Sequence, residues 1–304
     1  MKTPLATIAT LLLAVPLALA QGPETPPGPP GPTQKSLQEI WDKINTLETN
    51  VGSINADVRI PITSVPITIS QPGSYYFAGN LEFTEPTGSA IIITASNVTL
   101  DLNGFTLSST PAVTGNAISV TPTESPLVTI RNGFITGTTL ISNIGSTWDV
   151  VPGGFNTGIS SNFGANCHLS NLAISGCRLR GFNVISRAST LRNCRAMRNG
   201  DGGFFVANVG LLENCVATQN AGIGFSTSLC SLSKCSAYQN GTAGFSMNSG
   251  SAINCVANVN GEQGFLFPAG TSGVLAHCYA ISNLGTNIDT GAASVTRTGN
   301  FPTP

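Results

Sequence analysis

The sequence predicts an all-β protein, a right-handed single-stranded parallel β-helix, which is preceded by a short α-helical coiled coil. Three observations predict this fold class. The second half of the chain repeats with a period of about 20 residues. Glycine is frequent, at 34 residues, and helix formers such as Glu and Lys are scarce, which is typical of short strands joined by tight turns. One segment near the N-terminus has heptad spacing instead.

The composition argues against an intrinsically disordered protein and against a nucleic-acid-binding protein. Hydrophobic residues make up 41% of the chain and charged residues 9%, so the body of the protein can bury enough apolar surface to fold. The formal net charge is −1. Nucleic acid is therefore not expected as a partner, because binding to phosphates needs many Lys and Arg side chains.

Residues 1–20 have the pattern of a secretory signal peptide. Lys2 supplies the positive charge, Leu5 to Leu19 form the apolar stretch, and Ala18-Leu19-Ala20 is a cleavage signal. A membrane anchor is the alternative, and no later stretch is long and apolar enough to span a bilayer. We therefore expect an exported protein that is extracellular, bound at the cell surface, or periplasmic.

The next two segments predict a stalk. Residues 21–35 form a Pro/Gly-rich linker, for which a short collagen-like triple helix is an alternative. Residues 36–56 predict a coiled-coil helix that begins with a capping box of Ser36 and Glu39. Isoleucine at d positions favours a homotrimer over a dimer, and a helix packed on its own domain is the alternative. The heptad seam consists of Leu37, Ile40, Ile44, Leu47, Val51 and Ile54.

The repeats become visible when five segments are aligned. The segment from Leu212 to Phe225 reads LENCVATQNAGIGF, and the segment from Leu232 to Phe245 reads LSKCSAYQNGTAGF. Such a period fits a parallel β-helix, in which each repeat is one coil and equivalent residues stack about 4.8 Å apart. We expect an interior column of aromatic rings and a ladder of hydrogen-bonded amides. The columns are Phe182, Phe204, Phe225, Phe245 and Phe265; Asn199, Asn220, Asn240, Asn260 and Asn283; and Cys194, Cys215, Cys235, Cys255 and Cys278.

The cysteine column predicts free thiols rather than disulfides. Stacked Cβ atoms would lie about 4.8 Å apart, whereas a disulfide needs about 3.8 Å. Cys167 and Cys177 are the alternative pair for a disulfide, and the state of Cys230 stays open. A column also offers no tetrahedral geometry, so we expect no metal site.

These repeats, together with NVTLDLNGFTL at Asn97–Leu107 and VTIRNGFITG at Val128–Gly137, resemble the β-helix repeats of pectate-lyase-like bacterial secreted proteins. The resemblance covers residues 60–290 and leaves residues 291–304 as a C-terminal tail. It implies the fold and leaves the function open, because that superfamily includes lyases, hydrolases, epimerases, phage tailspikes and non-catalytic adhesins. The step of 39 residues from Asn132 to Asn171 predicts either an insertion around residues 140–164 or a hidden extra coil.

Basic residues cluster in one part of the repeats, where six of the chain's 13 fall within 21 positions. Arginine binds carboxylate and sulfate in a bidentate manner, so this cluster predicts a cleft for an anionic glycan. The alternative is a solvated face with local ion pairs, such as one between Arg192 and Glu213. The candidate glycan-binding residues are Arg178, Arg180, Arg192, Arg195 and Arg198.

The acidic residues do not predict a catalytic pair. Asp201 and Glu262 occupy equivalent places three coils apart, about 14 Å, which exceeds the separation in glycosidases. A pair that includes Asp149 of the inserted segment stays open. The catalytic residues are thus unknown, no cofactor is expected, and Ca²⁺ is expected only for a lyase. We predict a non-catalytic carbohydrate-binding, adhesive or structural surface module; the alternative is a lyase, hydrolase or epimerase that acts on a uronic-acid polysaccharide.

Overall fold

The computed structural model describes residues 36–54, 58–122, 127–144, 147–161, 166–291 and 293–302. The chain divides into two compact units, Met1–Ala56 and Asp57–Pro304. The predicted signal peptide, residues 1–20, and linker, residues 21–35, lie outside the described residues. In the described part of the chain, no helix has the length and apolar character that a bilayer span requires.

The first unit contains one helix, α1, Leu37–Ile54. The predicted capping box begins it, because the backbone N–H of Ser36 donates to Glu39 Oε2 at 2.9 Å and the N–H of Glu39 donates to Ser36 Oγ at 3.1 Å. The described part of the heptad seam is exposed: Leu37, Ile40, Ile44 and Leu47 all face solvent within this unit. The helix is therefore present, and its assembly into a coiled coil stays a prediction.

The second unit is built almost entirely of short strands. In chain order they are β1 Ile60–Ile62, β2 Ile67–Ile69, β3 Gly73–Phe77, β4 Leu81–Phe83, β5 Ile91–Ile93, β6 Val98–Asp101, β7 Thr106–Ser109, β8 Ile118–Val120, β9 Leu127–Thr136, β10 Leu140–Ile144, β11 Thr147–Val151, β12 Thr157–Ser161, β13 Asn166–Ser175, β14 Arg180–Ile185 and β15 Thr190–Arg192. They continue as β16 Arg195–Met197, β17 Phe204–Ala207, β18 Leu211–Glu213, β19 Val216–Thr218, β20 Phe225–Ser233, β21 Ser236–Tyr238, β22 Phe245–Ile253, β23 Val256–Asn258, β24 Phe265–Leu266, β25 Ser272–Ala276, β26 Tyr279–Ile281, β27 Ile288–Asp289, β28 Ser294–Thr298 and β29 Phe301–Pro302.

Each coil contributes one strand to each of three faces, as β17, β18 and β19 do in turn. All pairings between coils are parallel, and they join 27 strands into one continuous sheet. Face 1 contains β2, β5, β8, β12, β14, β17, β24, β27 and the first halves of β20 and β22. Face 2 contains β1, β3, β6, β15, β18, β25, β28, the first halves of β9 and β13, and the second halves of β20 and β22. Face 3 contains β4, β7, β16, β19, β21, β23, β26, β29 and the second halves of β9 and β13.

The predicted interior columns are confirmed. The rings from Phe182 to Phe265 are stacked, with centroids 4.6 to 4.8 Å apart. At the corner between faces 3 and 1, the amide of each interior Asn donates to the Oδ1 of the next; for Asn220 and Asn240 the distance is 2.9 Å. The same Oδ1 accepts the backbone N–H of Asn220 at 3.2 Å. The ladder therefore satisfies buried backbone groups where the chain turns between strands.

A second asparagine ladder runs outside, at the corner between faces 2 and 3. Asn132, Asn171 and Asn193 have φ between 53° and 60°, a left-handed conformation that Asn tolerates better than most residues. Asn193 Nδ2 donates to Asn171 Oδ1, and Asn171 Nδ2 donates to Asn132 Oδ1, both at 3.1 Å. This corner turns the chain so that the residues on either side of it face different directions.

All eight cysteines are free and buried, so the prediction of free thiols is confirmed and the alternative disulfide between Cys167 and Cys177 is wrong. The column thiols meet backbone oxygens instead: Cys215 Sγ lies 3.5 Å from the carbonyl oxygen of Leu191, and Cys235 Sγ lies 3.6 Å from that of Leu212. The thiols thus act as small apolar side chains that also donate a weak hydrogen bond.

The long step from Asn132 to Asn171 is an insertion and not an extra coil. Within one coil, β10 and β11 form an antiparallel hairpin before β12 resumes the ladder on β8. The ladder also continues past residue 290, into the segment predicted as a tail, because β28 pairs with β25 and β29 with β26.

Candidate functional site

Face 2 holds the candidate site, on two outward columns of side chains. One column runs Thr129, His168, Thr190 and the other runs Arg131, Ser170, Arg192, with one member per coil. A surface groove of about 290 Å³ lies between them and is lined by His168, Leu169, Ser170, Thr190 and Arg192. The middle coil supplies His168 and Ser170, and the coils on either side supply Arg131 and Arg192.

The Arg131 side of the site is held by a buried carboxylate. Asp101 is 5% exposed and accepts from Arg131 Nε at 3.1 Å and from Arg59 Nη1 at 3.3 Å. Asn132 Nδ2 also donates to Asp101 Oδ1, at 3.2 Å, so the outer Asn ladder ends on this group. The guanidinium of Arg59 lies over the ring of Tyr76, 4.6 Å from its centroid. Asp101 is therefore an anchor for arginines and not a free base.

The Arg192 side of the site contains the predicted ion pair. Arg192 Nε lies 3.2 Å from Glu213 Oε2, one coil further on, and 56% of the Arg192 side chain is exposed. Like the Arg131 pair, this contact engages Nε on one edge of the guanidinium. An arginine has five N–H donors, so the Nη groups retain donors for a ligand in the groove.

The five arginines predicted from the sequence do not share one cleft. Arg192 lines the groove on face 2, whereas Arg195 is exposed on face 3, beyond the left-handed corner at Asn193. Arg178 and Arg198 lie at the corner between faces 3 and 1. The corners of a coil therefore separate side chains that are close neighbours in the sequence.

Arg180 begins β14 on face 1, where three neighbours hold it. Its Nε lies 3.1 Å from Asp201 Oδ2, its Nη1 donates to Asn183 Oδ1 at 3.5 Å, and its guanidinium lies 4.5 Å from the centroid of the Phe205 ring. These contacts account for Arg180 as a structural residue, and they also engage Asp201, one of the two acids considered for catalysis.

In the part of the chain that the structure describes, neither a metal cluster nor an activated thiol lies near the groove. Among the described residues, no three His, Cys, Asp or Glu side chains come close enough to hold a metal ion. Burial raises the pKa of Cys167, in the same strand as His168, so this thiol stays protonated at neutral pH.

Arg131 and His168 are the site residues that the sequence analysis missed. Their coils do not keep the 20-residue spacing, so the repeat alone does not place them beside Arg192. The outer Asn residues carry the signal that could have done so: when Asn132 is aligned with Asn171 and Asn193, Arg131 falls in register with Ser170 and Arg192, as the structure has it.

Comparisons with known proteins agree with this architecture. No protein of curated function matches the sequence significantly. Among solved structures, the chain is similar to the A-module of a mannuronan C-5 epimerase from Azotobacter vinelandii, with 16% identity, a TM-score of 0.53, and coverage of 75% of this chain and 68% of the epimerase module. It is also similar to the ORF18 protein of Geobacillus virus E2, with 14% identity, a TM-score of 0.50, and coverage of 88% of this chain and 63% of the viral chain.

Sequence identities this low show a shared fold only. The family of right-handed β-helix regions matches residues 116–300, which is more than half of the chain. The match covers the regular coils and the coils that carry His168 and Arg192. The prediction of a right-handed parallel β-helix is confirmed, and the chain belongs to the right-handed β-helix family.

Proposed function

We propose that this protein is an exported, non-catalytic β-helix module that binds an anionic polysaccharide along face 2. The observation that carries the proposal is the groove lined by His168, Ser170, Thr190 and Arg192. Arg131 and Arg192 are two coils apart in one column, so their backbones lie about 10 Å apart. That distance is close to the length of one disaccharide in an extended chain, so two guanidinium groups can meet acidic groups on one polymer strand.

The surroundings of the two arginines favour binding over catalysis. Asp101 and Glu213, the carboxylates next to the groove, are each engaged by an arginine. A glycosidase needs one carboxyl group that gives a proton and a second that attacks or activates water. Carboxylates held in ion pairs instead orient the guanidinium groups toward the solvent side of the groove.

Retention on immobilised polymannuronate and polygalacturonate tests the proposal. Arg192→Ala should elute at clearly lower salt than the unchanged protein, because one guanidinium–carboxylate contact is lost from the groove. Arg195→Ala is the matched control, since it removes the same charge three residues away from another face. Equal retention of the two variants would contradict the proposed site.

An enzyme that acts on a uronic-acid polymer is the second candidate. The similarity to a mannuronan C-5 epimerase module and the presence of the exposed His168 beside two arginines favour it. Incubation with mannuronan, with and without Ca²⁺, should then convert mannuronate to guluronate or form unsaturated ends, as read by NMR. An unchanged polymer that is nevertheless retained by the protein supports the non-catalytic function.

We also propose that the protein is exported and that helix α1 joins chains into a homotrimer. The pattern of residues 1–20 supports export, and the exposed Leu37, Ile40, Ile44 and Leu47 support association, because an isolated helix gains little by exposing such a seam. N-terminal sequencing of secreted protein should begin at Gln21. Light scattering should give three chains for the unchanged protein and one for Ile44→Glu; a monomer in both cases contradicts the trimer.

A further inference from the structure

A second feature of the surface lies at the corner between faces 3 and 1, away from the groove on face 2. The residues that directly follow the interior Asn ladder are mostly small there: Gly200, Ala221, Gly241 and Gly261. The hairpin of β10 and β11 lies over them. Val150 Cγ1 would be 3.1 Å from a Cβ on Gly200, and Trp148 Cδ1 would be 3.1 Å from a Cβ on Gly241. The inserted hairpin therefore rests on the coils and brings Trp148 two coils along the corner from Gly200.

Beside the hairpin, the corner carries an array of hydrogen-bonded polar side chains. Arg198 Nε donates to Gln219 Oε1 at 3.1 Å, and Gln219 Nε2 donates to Gln239 Oε1 at 3.3 Å. All three residues have φ between 51° and 54°, which directs their side chains outward from the turn. The array fixes the orientation of two amide groups next to the indole ring.

Two cavities border the half-buried Trp148. The smaller cavity, of about 130 Å³, is lined by Ile141, Asn143, Trp148, Arg198, Gln219 and Gln239. The larger cavity, of about 240 Å³, shares Asn143, Trp148 and Gln239 and extends over Gly241 and Gly261 to Val259 and Leu284. Both thus combine an indole ring with carboxamide groups.

We propose that these cavities form a second binding site, for a neutral pyranose residue of a glycan, with Trp148 as the platform on which the sugar ring lies. An indole offers an apolar face to sugar C–H groups and an N–H to a hydroxyl group. Carboxamides both donate and accept hydrogen bonds, as sugar hydroxyls do. No carboxylate is among the described lining residues, and Asp149 points to the opposite side of its strand from Trp148. The one charged group among the described lining residues is Arg198, at the edge of the smaller cavity, and its Nε is engaged by Gln219 Oε1.

If Trp148 served only to hold the hairpin on the coils, it would not need carboxamide groups next to its ring. The ring could pack on Gly241 with its exposed side against apolar residues, as interior aromatic residues do. Here Trp148 lines a cavity together with Gln219 and Gln239, which are already aligned by a hydrogen bond to one another, so binding of a ligand would cost little side-chain entropy. The site lies on a different corner from the face 2 groove and makes no use of His168 or Arg192.

Tryptophan fluorescence tests this site directly, because the chain has two Trp residues and Trp41→Phe leaves Trp148 as the sole reporter. The probes are mannohexaose, cellohexaose, xylohexaose and hexamannuronate. The proposal predicts a saturable change in Trp148 emission with at least one neutral hexasaccharide. No saturable change with any neutral probe up to millimolar concentration, or a change with hexamannuronate alone, would overturn it.

Two variants in the Trp41→Phe background separate binding from hairpin docking. Gln239→Ala should weaken the neutral-sugar titration about tenfold, the loss expected for one well-made hydrogen bond, while the near-UV circular dichroism and melting temperature of the ligand-free protein stay unchanged. Arg192→Ala should leave this titration unchanged while it weakens retention on polyuronate. Neutral-sugar affinity that is unaffected by Gln239→Ala, or lost in Arg192→Ala, contradicts a separate Trp148 site.

Discussion

The coils from Leu191 to Asn283 and those from Ile60 to Ser175 share one fold, but they differ in how regularly their residues repeat. In the later coils identical residues stack, and the rings of the Phe column keep centroid distances of 4.6 to 4.8 Å. In the earlier coils the core is mixed aliphatic, and its stacked pair Phe83 and Phe155 is 6.1 Å apart. The groove residues Arg131 and His168 and the hairpin with Trp148 belong to the earlier coils. Regular repetition stabilises the solenoid, and the departures from it carry the candidate sites.

Alkaline pH should have the largest effect on the free energy of unfolding. The later coils should account for most of this effect, because they contain most of the buried thiols. Hydrogen bonding by Cys235 raises the pKa of Cys255 to about 12, and hydrogen bonding by Cys215 raises the pKa of Cys235. An unfolded thiol ionises near pH 8.5, so the stabilisation is complete below that pH and is lost as pH rises toward the folded value. Each such thiol should cost about 2 kcal/mol of stability near pH 10, as measured by urea unfolding.

The matched variant for this prediction replaces two column thiols, Cys215→Ala with Cys235→Ala. It should be less stable at neutral pH and yet lose less stability between about pH 7.5 and pH 10. An equal loss in the variant and the unchanged protein would show that the column does not govern the alkaline transition.

Removal of one interior amide should have the next largest effect. Asn240 Oδ1 accepts from both the backbone N–H and the Nδ2 of Asn220, so Asn240→Ala leaves buried groups unpaired and should cost about 3 to 5 kcal/mol. Asn171→Gly, in the exposed outer ladder, should cost about 1 kcal/mol, since water can replace its contacts. Thermal unfolding of the two variants measures the difference, and similar melting temperatures would argue against the interior ladder.

Replacement of a stacked ring should give the smallest of the three effects. Phe225 has neighbours 4.8 Å away on both sides, whereas the ring paired with Phe83 is 6.1 Å away. Phe225→Leu should therefore destabilise the protein by about 1 to 2 kcal/mol more than Phe83→Leu does. The denaturant midpoints compare them, and a larger loss at Phe83 would reverse our ranking of the two regions.

The sequence predicted the regular coils better than the site for a physical reason. Cys194, Cys215 and Cys235 recur at nearly constant spacing, so the stacking of their neighbours follows from counting residues. The insertion between Asn132 and Asn171 breaks that count, and His168 then has no assigned neighbour. Strand alternation alone would put Arg192 and Arg195 on opposite sides of one strand, whereas the left-handed turn at Asn193 leaves both exposed, on different faces of the coil.

The sequence predicted an inserted segment as one alternative, but it did not predict that the segment is a hairpin that packs on the corner between faces 3 and 1. Its contact with the coils joins Trp148 to Gly241, which are distant in the sequence, and no repeat relates the two. The hairpin can pack on this corner because the residues along it are small. The sequence does not show that these small residues are stacked on one another until the interior Asn ladder sets their register.

A crystal structure of the complex with hexamannuronate tests the central claim most directly. The account predicts that the sugar lies along face 2, parallel to the axis of the coils, with acidic groups within hydrogen-bond distance of the Nη atoms of Arg131 and Arg192. A hexamannuronate bound on another face, or a groove that stays empty at saturating ligand, would contradict it.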